Sequence, residues 1–234
     1  MYIFAKQSEF LEPIGIHFHI GSQLTDLSPI EESIKIVSSM VKNLKALEID
    51  IKFFDVGGGV GIKYDNETLI SFEDYAYVIK KYLKLQDITV ICEMGRAIVG
   101  ESGYFLSSVL YEKTNNNKRF VIVDGAMNDL LRPSLYDAYH KSEILNSNEN
   151  SSMADVVGPV CESGDFLAKN QKLKQSSHGD IVVINCAGAY GFSMSSNYNS
   201  RVRCAEVAII NGEDKLIRKR ESFDDLISNE IGYI

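Results

Sequence analysis

The hydrophobic period of this sequence changes once, near residue 103, and that change limits the folds open to it. Before that point strand and helix patterns alternate. Ile14–Ile20, which follows Pro13, reads as a strand. Ser28-Pro29-Ile30-Glu31 has the form of a capping box with proline in the first helical turn. Ile30, Ile34, Val37, Val41 and Leu44 then mark one apolar helical face. Lys52–Val56 reads as a second strand, running into Gly57-Gly58-Gly59. Ser71 is placed to cap a second helix whose apolar face is Tyr75, Val78, Ile79, Tyr82 and Leu83, and Thr89–Glu93 reads as a third strand. Three strand–helix units in succession predict parallel α/β structure.

Beyond residue 103 the segments Tyr104–Tyr111, Arg119–Asp124, Asp180–Cys186, Glu206–Ile210 and Lys215–Lys219 are β-rich and separated by turn residues. They predict a mostly antiparallel β domain. Asn115–Asn117 and Asn146–Ser152 are polar and read as loops. The expected division is therefore 1–103 and 104–234, which suits a chain of 234 residues. A closed (β/α)8 barrel needs about eight strands, and residues 1–103 supply three. The expected fold class is α/β plus β: the C-terminal part of such a barrel, with strand edges left open, followed by the β domain.

Composition excludes some partners. The net charge of −8 argues against nucleic acid and against an anionic membrane surface. No apolar stretch approaches the ~20 residues of a membrane span, and residues 1–6 are too short for a signal peptide. Cys92, Cys161, Cys186 and Cys204 form no CxxC pair, which suits a reducing compartment. The expected location is the cytoplasm.

Several segments carry residues capable of chemistry. His17 and His19 alternate on the first strand, so both rings are expected on one face. They could hold a metal, stack on a flat cofactor, or serve as ordinary strand residues. Asp55–Gly61 follows a strand with glycines whose N–H groups could cradle a phosphate, or which simply make a tight turn. Glu93 and Arg96 close the third strand, either as a surface pair or as ligand contacts, with the guanidinium suited to phosphate. Arg132 and Tyr136 are spaced to share a helical face, and Arg132 could pair with a substrate carboxylate. Cys161 is either a small apolar residue or, beside Glu162 and Asp165, a proton-transfer group. Ala187–Asn199 is a Gly/Ser-rich loop carrying Tyr190 and Tyr198.

In this order, the segments GIHFHIGSQL, FDVGGGVGI, CEMGRAIVG, VDGAMNDLLRPSLYDAYH, VVGPVCESGD and GAYGFSMSSNYNSR closely resemble the diaminopimelate decarboxylase family. That family belongs to the alanine-racemase-like, barrel-plus-β-domain pyridoxal-phosphate enzymes. The resemblance implies the cofactor pyridoxal 5'-phosphate and decarboxylation of meso-diaminopimelate to L-lysine. It implies that His19 stacks on the cofactor ring, with Ser22 nearby. Gly57, Gly58 and Gly59 would hold the phosphate, Glu93 the pyridine nitrogen, and Gly95 and Arg96 would lie against cofactor and, for Arg96, substrate. Arg132, Tyr136 and Glu162 would bind the amino diacid, and Tyr190 would touch both molecules. His19 and Cys161 would be the catalytic residues, Cys161 as proton donor to the carbanion left by carbon dioxide. No metal is implied. Cys161 and Glu162 would reach a partner subunit's site, implying a homodimer.

The sequence departs from the family in places. Met94 stands where proline is usual, and Val202 and Cys204 replace prolines. Family members carry a Schiff-base lysine well before the HxHxGS segment. Here only Lys6 precedes His17, and its surroundings do not match. The expectation is a chain inactive alone, completed by a separate N-terminal barrel fragment or persisting as a non-catalytic remnant, with a related ornithine- or arginine-type decarboxylase as the alternative.

Overall fold

The computed structural model describes residues 1–83, 87–230 and 232. Its contacts divide the chain into two units, Met1–Gly100 and Glu101–Ile234.

The first unit opens with a short helix, α1 (Tyr2–Gln7), and then follows β1 (Gly15–His17), α2 (Ser28–Ala46), β2 (Phe53–Gly58), α3 (Phe72–Leu83), β3 (Thr89–Glu93) and α4 (Gly95–Val99). The strands form a parallel sheet in the order β1-β2-β3, as the strand–helix alternation requires. β2 is central and buries Phe54 and Val56. Ile30, Ile34 and Val41 of α2 and Tyr75, Val78 and Leu83 of α3 complete the core, so the apolar faces read from helical spacing are the ones buried. Because the sheet is parallel, the C-terminal ends of all three strands lie along one edge, and the residues following them are neighbours.

Two local details differ from expectation. The first strand ends at His17, because the chain then turns along the β2 loop: the Leu24 N–H donates to the Gly59 carbonyl at 2.8 Å and the Gly61 N–H to Leu24 at 2.9 Å. Ser28 makes no capping box either. Its N–H and hydroxyl both go to Asp26 Oδ1, at 2.9 and 2.8 Å, and Leu27 occupies the cap position. At α3 the cap forms, with Ser71 Oγ accepting from the Asp74 N–H at 3.0 Å.

The second unit contains β4 (Phe105–Asn115), β5 (Lys118–Val123), α5 (Arg132–Tyr136), β6 (Ser142–Leu145), β7 (Ser151–Val157), β8 (Phe166–Lys174), β9 (Ile181–Ile184), β10 (Glu206–Ile210), β11 (Glu213–Arg218) and α6 (Phe223–Ile227). Six strands form one sheet in the order β6-β9-β4-β5-β7-β8, and β10 and β11 form a hairpin. The sheet buries alternating residues such as Val121 and Val123 of β5 and Val182 and Ile184 of β9. β4 and β5 are joined through Asn116 and Asn117, both at positive φ (47° and 64°), the geometry a two-residue hairpin needs. β6, β7 and β8 were not expected, and Ser151 and Ser152 of the expected polar loop begin β7. No described helix is long and apolar enough to cross a membrane.

One pairing in this sheet is parallel, β5 with β7. Parallel neighbours need a crossover connection, and residues 124–150 provide it. β9 is antiparallel to β4, which is antiparallel to β5, so β9 runs in the same direction as β5 and β7. The loops after β5, β7 and β9 therefore leave from the same end of the sheet. These are the loops bearing Arg132, Cys161 and Tyr190.

Candidate functional site

In the first unit the strand-end edge gathers most of the residues singled out for a cofactor. His17 Nε2 lies 3.3 Å from Glu93 Oε2. His19 Nδ1 accepts the Gly58 N–H at 3.2 Å. With β1 ending at His17, the two histidines serve different partners, one the carboxylate and one the glycine loop. His17, Asp55 and Glu93 place a ring nitrogen and two carboxylate oxygens within 4.8 Å of one another. His19 is not part of that group.

The glycines are required by close approach. A Cβ on Gly57 would strike the Phe18 carbonyl oxygen, one on Gly58 the Glu93 carbonyl, and one on Gly59 the Gly21 carbonyl. Gly57 and Gly59 also sit at φ +68° and +101°, where side-chain-bearing residues are strained. The Gly57 N–H donates to Asp55 Oδ1 at 2.9 Å, so the Gly57 and Gly58 amides are turned onto Asp55 and His19. The glycine run thus lets the β2 loop lie directly between the β1 and β3 loops.

Arg96, in the α4 turn, donates from Nη2 to Ser22 Oγ at 3.1 Å and from Nη1 to the Tyr64 hydroxyl. Its guanidinium carbon lies 5.7 Å from the Tyr64 ring centre. Ser22 is brought there by the pairing of the β1 and β2 loops, which Gln23 locks through its side-chain bonds to the Ile62 backbone, at 2.6 and 3.2 Å. Tyr64 was missed in the sequence, since nothing in its spacing points to an arginine 32 residues later. Close to this edge, burial pushes the Tyr75 phenol up, and partial desolvation does the same to the thiol of Cys92, whose residue is otherwise exposed. The donor set suits a flat, phosphorylated heterocycle: an imidazole, a carboxylate for a ring N–H, and a guanidinium beside a hydroxyl for an anion.

In the second unit the three loops are tied together by side chains. Asp165 Oδ1 accepts the Met127 N–H at 2.7 Å and Oδ2 the Val160 N–H at 2.6 Å. Glu162 accepts from its own loop at Gly164 (3.2 Å) and from the Tyr198 hydroxyl at 3.4 Å. Asn128 donates from Nδ2 to the Ser196 carbonyl at 3.2 Å and accepts from Arg201 Nε at 2.8 Å. Burial pushes the Asp129 carboxyl up, against the opposing pull of the Ala126 N–H and Arg201. Cys161 and Tyr136 are exposed, and Tyr190 is held at φ +60° with its ring exposed. Arg132 is buried, and its Nη1 lies 2.7 Å from Nε2 of His140. His140 was not singled out in the sequence, although it closes the same motif.

The comparisons with known proteins agree on one family. The chain matches the family described as "Pyridoxal-dependent decarboxylase, C-terminal sheet domain" over residues 19–188. It is 55% identical over 231 residues to a diaminopimelate decarboxylase of Campylobacter jejuni, covering 98% of this chain and 58% of that protein. It is 51% identical to one of Helicobacter pylori, covering 97% of this chain and 56% of the relative. A crystal structure of diaminopimelate decarboxylase from Helicobacter pylori complexed with L-lysine superposes with a TM-score of 0.94 at 51% identity, covering all of this chain and 58% of that one. The chain therefore spans little more than half the length of these relatives.

Proposed function

The chain belongs to the pyridoxal-dependent decarboxylases, and from that premise we propose that its residues serve the decarboxylation of meso-diaminopimelate to L-lysine. The observation that carries this reading is the convergence of His19, Glu93, Arg96 and Ser22 on one edge of the parallel sheet.

The cofactor would be pyridoxal 5'-phosphate. When bound, it supplies an electron sink for the pair left by a departing carboxylate. Glu93 would hold a proton on the ring nitrogen, since a carboxylate favours the charged form of a neighbouring base. His19, set against the glycine loop by the Gly58 N–H, would offer its flat face to the ring. Arg96 and Ser22 would take the phosphate beside Gly95 and the Gly57–Gly59 loop, whose Gly57 and Gly58 N–H groups serve Asp55 and His19.

Arg132 would pair with the carboxylate at the far end of the substrate, and Glu162 with its amino group. Tyr136 and Tyr190 would line the same ligand. Cys161, exposed at the tip of its loop, would deliver a proton to the carbon vacated by carbon dioxide. In an assembly of two copies, Cys161 and Glu162 would act in the partner's site.

The test is L-lysine formation from meso-diaminopimelate in the presence of pyridoxal phosphate. It is run with the chain alone and with the portion of the Campylobacter jejuni relative that this chain does not cover. Lysine release in the completed sample, with meso-diaminopimelate preferred over ornithine, is the expected result. No release in both samples, or indifference between the two substrates, would contradict the reading.

A further inference from the structure

His140 carries two bonds that fix its chemistry. Its Nδ1 lies 2.8 Å from the Asn185 carbonyl oxygen, and its Nε2 lies 2.7 Å from Nη1 of Arg132. A carbonyl only accepts and a guanidinium only donates. So Nδ1 carries the hydrogen and Nε2 offers its lone pair. One neutral tautomer satisfies both partners. A doubly protonated ring would set an N–H against the guanidinium.

The surroundings hold the ring in place. His140 is 1% exposed and Arg132 7%. The His140 carbonyl accepts from Gln171 Nε2 at 2.7 Å, and the other end of that amide accepts the Ser142 N–H at 2.8 Å. The topology explains why these groups meet. β6 is antiparallel to β9 with Ser142 opposite Ile184, so the residues before β6 and after β9 lie at the sheet end where the crossover bearing Arg132 emerges.

We infer that His140 is a positioning residue that aims Arg132 at the far carboxylate of the substrate, an inference that rests on the diacid reading above. A guanidinium is planar, so fixing one N–H sets the direction of the whole donor fork. A neutral acceptor does this without cancelling the arginine's charge. An aspartate or glutamate at the same place would orient Arg132 equally well but would compete with the substrate carboxylate for it.

The test uses L-lysine, the amino acid that remains when the diacid loses one carboxylate and which keeps the far one. Cadaverine, which has neither carboxylate, is the control. Calorimetric affinities are measured for the protein and for His140→Ala, His140→Gln and Arg132→Met. His140→Ala is expected to weaken L-lysine binding about 10-fold, the scale of losing one hydrogen bond to a charged group, and to leave cadaverine unchanged. His140→Gln, which restores an acceptor oxygen, is expected to recover part of the loss. L-lysine affinity unchanged in His140→Ala but lost in Arg132→Met would overturn the inference and leave the diacid reading standing. L-lysine affinity unchanged in Arg132→Met, or absent in the unaltered protein, would overturn both. If His140→Ala does not fold, nitrogen NMR of the unaltered protein decides. The Nδ1–H tautomer of His140 is expected, and an Nε2–H or doubly protonated ring would overturn the inference.

Discussion

Oδ1 of Asp165 accepts the backbone N–H of Met127 at 2.7 Å, joining two loops that leave the ends of parallel strands β7 and β5. The other oxygen accepts the Val160 N–H at 2.6 Å, and the residue is buried. Cys161 and Glu162 lie on the loop so fixed. Asp165→Asn turns an acceptor into a donor facing one of these N–H groups. It is expected to cost about 2 kcal/mol of stability and to speed amide hydrogen exchange at Met127 and Val160. Exchange unchanged at both positions would show that the carboxylate does not hold the loops.

The pairing of Glu112 with Arg119 should appear in acid. Burial pushes the Glu112 carboxyl up, but hydrogen bonds from Arg119 and Ser176 outweigh it and leave the group below its ordinary value. A lowered folded value contributes stability that is fully present above the unfolded value and is lost as pH falls through the folded one. Glu112→Gln is expected to cost about 2 kcal/mol near neutral pH and to flatten the acid limb. Urea midpoints followed downward from neutral pH check this, and an acid limb of equal slope in both proteins would count against it.

At Gly58 the constraint is steric. Its φ is not in the left-handed region, yet a Cβ there would meet the Glu93 backbone carbonyl. Gly58→Ala is expected to lose about 2–3 kcal/mol, the scale of overpacking a tight site. Gly95, with open space around it, serves as the comparison. Equal thermal midpoints for the Gly58 and Gly95 variants would refute the close-approach account.

The β4–β5 turn makes a prediction of the opposite sign. Asn117 sits at φ 64°, so Asn117→Gly is expected to gain about 0.5 kcal/mol, and Asn117→Val to lose about 1 kcal/mol. Thermal unfolding of both variants decides, and a destabilised glycine variant would contradict the turn geometry.

The first unit was legible because its signals are periodic. Ile30, Ile34 and Val41 recur at helical spacing and are buried, and the strands end at the residues whose chemistry stood out. The sheet of the second unit was only half legible. β6 is four residues long, and β8 bulges near Asn170, which sits at φ 50° where the register shifts, so neither shows a sustained alternation. Ser28 misled because a capping signature says nothing of Asp26 two residues earlier, which takes both donors. Tyr64 and His140 were missed for a related reason. Their importance lies in partners brought near by strand pairing and loop closure, and no local spacing records that.

On the proposed reading, the strand-end edge of the first unit would hold a phosphorylated pyridine ring. The most direct measurement is calorimetric titration with deoxypyridoxine phosphate, which has the ring and phosphate but no aldehyde and so forms no adducts with surface lysines. Saturable binding at one site per chain is expected, weakened about 10-fold in both Arg96→Ala and Glu93→Ala. No saturable binding, or binding indifferent to both substitutions, would contradict it.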